Sequence, residues 1–324
     1  MAQALKTVVA IFGLAFCVLG PAAAQDVENI DDLLHQIEAD RKAQPVSADA
    51  PAMWRVSDED SDYYVLGSFH ILPPDLEWRT DTLDAAVRAA DAVYFEVEAD
   101  TPDARARTLN IMMMQGYNPG GKVLTNMLDE TDATAFRLIL QELGLPLASI
   151  DPMRPWQAFL TLSVQFIISQ GFEPGAGVDS VLLSETRTLG KELRFFETLE
   201  EQIGLFTGLD PQTEKDLLVF TIRDWGDQKR GFDALFNAWR TGDVAAMDEE
   251  MNAVMRADAP VVYERLIVER NQQWAERLDA DMRADDKTAL VIVGAGHLAG
   301  PDALPALMRA RGFSVERLAI VSAE

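Results

Sequence analysis

The chain has 324 residues, 48% of them hydrophobic, which is enough for a substantial core. Its formal charge of −25 opposes binding to nucleic acid or anionic lipid. The one cysteine, Cys17, lies in the first 24 residues, so disulfides, thiolate metal sites and cysteine nucleophiles are excluded from the rest of the chain.

Residues 1–24 carry one charge, Lys6, and an apolar run from Val8 to Leu19. That run is shorter than the about 20 residues a membrane span needs. Ala22, Ala23 and Ala24 are the small residues a signal peptidase requires. We therefore expect a leader cleaved after Ala24, a periplasmic or secreted mature chain, and no stable membrane span after cleavage. Residues 25–51 read as an acidic segment with a short amphipathic pattern at Leu33, Leu34 and Ile37 and a linker from Pro45 to Pro51. His35 lies in that segment, outside any motif.

Residues 52–324 read as one domain with a helical insert at about 103–285. A hairpin opens it, with strands at Trp54–Val56 and Tyr63–Leu66 around an acidic turn. The second strand runs into Gly67-Ser68-Phe69-His70, and Pro73-Pro74 keeps His70 in a loop. A helix at 79–90 precedes a strand at 92–98, whose period of two puts Tyr94, Glu96 and Glu98 on one face. Helical periodicity follows at Ala104–Gln115, Thr131–Leu143, Trp156–Gln170 and Val178–Leu189. The third of these is apolar nearly all round, so it is expected to be buried. A short strand at Leu193–Glu197 and long helices over 211–240 and 260–282 complete the insert. The continuous apolar run Ala289–Val293 reads as a strand covered on both faces. It leads into Gly294-Ala295-Gly296-His297, a helix around Leu304–Arg311 and a last strand at 313–318. The fold class expected is mixed α/β, with a central mixed sheet built from both ends of the chain around a large helical middle region.

Two of the three histidines thus end the same pattern, Gly-x-x-His, each just past a strand. That is the edge where open α/β sheets bind ligands. Glycine there permits a tight turn and close backbone approach. Glu96 or Glu98, on a strand flanked by apolar residues, needs a cation, a metal or hydrogen-bond donors. Two histidines and a carboxylate suit a catalytic divalent metal with open positions that activates water. A histidine–glutamate pair can also act on water directly as a general base. Asp179, in Gly175-Ala176-Gly177-Val178-Asp179, reads first as a capping or first-turn acid. Gly294 to Ala299 matches the dinucleotide pattern G-x-G-x-x-G/A, but too little chain follows for the βαβαβ unit that site requires.

The chain also resembles the TraB/GumN family, relatives of the Tiki metalloproteases. The resemblance is carried by Trp54-Arg55-Val56, Val65 to Pro73, Phe95-Glu96-Val97-Glu98, Gly177-Val178-Asp179, Phe196 to Gln202, Glu269-Arg270-Asn271 with Trp274, and Val293 to Leu298. It implies an α/β-plus-helix domain distantly similar to erythromycin esterases and to haem-binding ChaN-like proteins. It also implies metal-dependent hydrolysis with roles for His70, Glu96 and His297, and Glu98 occupies a further family motif position. We expect these three to hold a divalent metal (Mn, Co, Zn or Fe), with Glu98 orienting a ligand or shuttling a proton. Asp179, Arg270 and Asn271 occupy family motif positions around that set. The function expected is an exported metal-dependent hydrolase of a peptide or small ester. The alternatives are an envelope protein that holds haem or metal without turnover, and a non-catalytic partner in an envelope assembly.

Overall fold

A computed structural model describes residues 50–284 and 286–318. The leader, its cleavage point and the pattern around Leu33 and His35 lie outside these residues. Among the described residues six strands form one sheet: β1 (Met53–Ser57), β2 (Asp62–Ser68), β3 (Ala92–Val97), β4 (Glu192–Glu197), β5 (Thr288–Gly294) and β6 (Ser314–Arg317), in the order β4-β3-β5-β2-β1-β6. The four strands β4, β3, β5 and β2 run parallel; β1 lies antiparallel to both β2 and β6. This is the mixed sheet expected, with one difference. β4 belongs to the main sheet, so the helical middle contributes a strand as well as the two ends.

The sheet is covered on both faces. On one face Leu66, Val93, Phe95, Leu290 and Ile292 pack with α1 (Asp81–Ala89), α4 (Pro155–Ser169), α5 (Val178–Thr188) and α8 (Gln228–Arg240). On the other, Val65, Tyr94, Val291 and Val293 pack with Trp274, Leu278 and Met282 of α9 (Glu269–Ala284) and with Leu304 and Met308 of α10 (Leu304–Ala310). β5 meets both cores, and this accounts for its unbroken apolar sequence. The period of two in β3 holds as read: Phe95 and Val97 enter one core and Tyr94 the other.

Between these helices lie α2 (Pro102–Gln115), α3 (Glu130–Glu142), α6 (Leu199–Thr207) and α7 (Pro211–Arg223). α4 separates the first core from a third, built with α3 and α7, so both sides of α4 are buried. The stretch 211–240 is two helices, α7 and α8, broken by a 3-10 turn at Trp225–Asp227. Gly226 in that turn is a poor helix residue. Two π-helical turns, Asp248–Asn252 and Glu264–Val268, lie on the approach to α9. Among the described residues no helix is long and apolar enough to cross a membrane.

Candidate functional site

The parallel strands β2, β3, β4 and β5 present their carboxyl ends at one edge, and each ends at a polar side chain. His70 lies two residues past β2, Glu96 is the fifth residue of β3, Glu197 is the last of β4, and His297 lies in a 3-10 turn just past β5. The two Gly-x-x-His segments pack on each other. A Cβ added at Gly67 would lie 3.1 Å from Ala295 Cα. The first glycine therefore lets the second motif approach closely, and a side chain there would crowd Ala295 and Leu298. Trp239 of α8 fixes the same spot, donating its indole N–H to the Gly67 carbonyl at 2.9 Å.

His70 is oriented from below. Asp179, in the first turn of α5, accepts from His70 Nδ1 through Oδ2 at 2.6 Å and from Ser68 Oγ through Oδ1 at 2.9 Å. With a proton on Nδ1, Nε2 is the basic nitrogen of His70. Gly177 makes this possible. The Val178 N–H donates to the Phe69 carbonyl at 3.0 Å, and a Cβ at Gly177 would lie 1.9 Å from the His70 carbonyl oxygen. Asp179 is thus the first-turn acid that its position suggested and also the residue that holds His70.

His297 is wholly buried, and its environment is different. Asn271 Oδ1 accepts from Nδ1 at 2.6 Å, while Asn271 Nδ2 donates to the carbonyls of His297 and Asp302 at 3.0 and 2.7 Å. Nε2 then accepts from Arg270 NH1 at 2.9 Å. Burial and the Arg270 charge hold the His297 imidazole well below its ordinary pKa, so it is neutral at neutral pH. Trp274 packs against it, ring centroids 4.3 Å apart.

Arg270 is the hub of this buried half. Its NH2 donates to Glu96 Oε2 at 2.6 Å and to Glu197 Oε2 at 3.0 Å, its Nε to Glu197 Oε1 at 2.6 Å, and its NH1 also to the Leu266 carbonyl at 3.2 Å. The guanidinium lies over the Trp274 ring, 4.5 Å from its centroid. Glu96 is further held by the Gly294 N–H on Oε1 at 2.7 Å and by Gln202 Nε2 on Oε2 at 3.2 Å. A capping box between Thr198 and Glu201 starts α6 directly after β4 and so brings Gln202 over Glu96. Burial pushes the Glu197 carboxyl up, against the pull of Arg270.

The edge thus gathers His70 with Asp179 in one half and Glu96, His297, Arg270 and Asn271 in the other. It does not gather Glu98. β3 stops at Val97, so the alternation that paired Glu96 with Glu98 ends there. Glu98 turns to the surface and meets Arg187 at 3.1 Å. Glu197, Gln202 and Ser68 also belong to the site; the sequence reading placed them within family motifs but gave them no role. Phe196-Glu197 at the end of β4 repeats Phe95-Glu96 of β3, and that repeat was the available signal.

As packed, the set expected to bind a metal does not fit a divalent ion. Metal–imidazole bonds are about 2.1 Å long. An ion on the His297 Nε2 lone pair would therefore fall about 0.8 Å from Arg270 NH1, which lies on that lone pair at 2.9 Å. Glu96 is already engaged by donors, with Arg270 and Gln202 on Oε2 and the Gly294 N–H on Oε1. Among the described residues no group of three or more histidine, aspartate or glutamate side chains is arranged to hold a metal ion.

These features define an α/β protein with a histidine–carboxylate–arginine centre at the carboxyl edge of parallel strands. The chain belongs to the TraB/PrgY/gumN family, whose sequence profile matches residues 52–317. No curated protein and no solved structure matches it.

Proposed function

We propose that the protein is a hydrolase of a peptide or small ester bond, in which His70 activates water. One observation carries this reading: the Asp179–His70 hydrogen bond at the strand edge, where the His70 and Asp179 side chains keep 10% and 18% of their surface exposed while His297 keeps none. His70 Nε2 takes a proton from water as the water oxygen attacks the substrate carbonyl carbon. The imidazolium formed is stabilised by Asp179 and returns the proton to the leaving nitrogen or oxygen. The buried half positions this pair and is not itself reached by substrate. Export to the periplasm or beyond, supported by the leader pattern in residues 1–24, is part of the same reading.

The test is a screen of chromogenic peptides and esters with the wild type, His70→Ala and Asp179→Asn. Loss of the general base should lower kcat/KM about 10²–10⁴-fold on any substrate found. Both side chains are largely buried, so each variant should also lose about 1–3 kcal/mol of stability, and turnover is compared at a temperature where all three proteins are folded. Turnover unaffected by His70→Ala ends this reading. A haem-holding envelope protein predicts instead a Soret band on haem titration, lost in His70→Ala, with no turnover.

A further inference from the structure

We infer that Arg270 is the permanent cation of this centre and occupies the place a divalent metal would otherwise take. The argument is one of charge and of lone pairs. Two carboxylates, Glu96 and Glu197, are buried side by side with 6% and 9% of their side-chain surface exposed. Without a cation between them their burial is prohibitive. A metal ion or a basic side chain can supply one. The guanidinium supplies it here with a two-toothed grip on Glu197, a bond to Glu96 and a bond to the imidazole nitrogen of His297.

Its place is fixed from the remaining sides. The Leu266 carbonyl, in the π-helical turn ahead of α9, accepts from NH1, and Trp274 lies beneath the guanidinium plane. Asn271, the next residue, sets the His297 tautomer so that Nε2 presents a lone pair to Arg270 instead of a second N–H. A protonated Nε2 would face the guanidinium donor to donor. The adjacent pair Arg270-Asn271 is therefore one device: Asn271 prepares the acceptor and Arg270 fills it. Removing the arginine leaves Glu96, Glu197 and His297 as two carboxylates and an imidazole nitrogen around a hole, which is a ligand set for Zn²⁺ or Co²⁺.

The inference is independent of which bond the protein hydrolyses, and it is read by metal binding, so either can fail alone. The full-length protein, its Arg270→Ala variant and an Arg270→Lys control are stripped with chelator and titrated with Zn²⁺ by calorimetry. Co²⁺ is titrated separately by visible absorption, and metal content is measured on the proteins as purified. The wild type and Arg270→Lys should bind no stoichiometric metal. Arg270→Ala should gain about one equivalent, with a ligand-field band for Co²⁺ and a rise in melting temperature on loading; folding of this variant only in the presence of metal counts as the same gain. One equivalent bound by the wild type and lost in Glu96→Gln overturns the inference. A folded Arg270→Ala that takes no metal also overturns it. If Arg270→Ala is unfolded with and without metal, the wild-type titration decides alone.

Discussion

His297 is held in one tautomer by Asn271 and accepts from Arg270, so a proton on its Nε2 would meet a guanidinium. The charged and titratable groups that face it are Arg270, Glu96 and His70. This gives a pH dependence whose sign follows from linkage. Above pH about 6.5 the imidazole is neutral in both the folded and the unfolded chain, and its contribution to stability is complete. As pH falls below that value the unfolded chain takes up a proton that the folded one excludes. Stability should then decline by up to about 1.4 kcal/mol per pH unit for this one group. Urea melts between pH 7.5 and 5.5 should show a steeper loss in the wild type than in His297→Gln; equal slopes would remove His297 as the cause. The two glutamates of β3 separate in the same way. Glu96→Gln leaves Arg270 with a weakened partner in a buried site and should cost on the order of 3 kcal/mol along with activity. Glu98 is 43% exposed beside Arg187, so Glu98→Gln should change stability by no more than about 0.5 kcal/mol and leave turnover intact. Chemical denaturation and kinetics on the two variants check both statements.

Individual elements carry the site by where they stop. β2 and β5 end in the two Gly-x-x-His turns, β3 ends one residue after Glu96, and β4 ends at Glu197 because the Thr198 capping box starts α6 there. The start of α5 is the most constrained of these joints. Gly177→Ala drives a methyl into the His70 backbone and should cost about 1–3 kcal/mol, and it should misplace Asp179. Gly175→Ala, two residues earlier, has open space around it and is the neutral control. Thermal melts of the pair test the idea, and equal behaviour would reject it. The strands, most helices and the paired histidine turns were legible in the sequence because each is marked locally, by period, glycine and flanking apolar residues. Asp179 was read first as a helix-start acid, since nothing within α5 indicates that a loop 109 residues earlier lies against it. Arg270 and Asn271 entered through the family motif, and their bonds to β3, β4 and the turn after β5 are contacts between distant segments with no periodic signature.

At the scale of the whole molecule, the order of strands in space differs from their order in the chain. β5 lies between β3 and β2, although both precede it by most of the sequence; the Gly294 N–H that closes on Glu96 comes from 198 residues away. Apart from the β1–β2 hairpin, neighbours in this sheet therefore meet only after long loops have closed, which raises the entropic cost of nucleation and slows folding. During synthesis β2 and β3 emerge early but have no partner between them until residues 288–294 arrive. Until then their apolar faces and unpaired backbone edges are open to chaperones, proteases and aggregation. The strand that carries His297 to the site is also the one that closes the sheet, so an intermediate still lacking β5 is unprotected and has no assembled site, and loss of the site and loss of resistance to proteolysis come together.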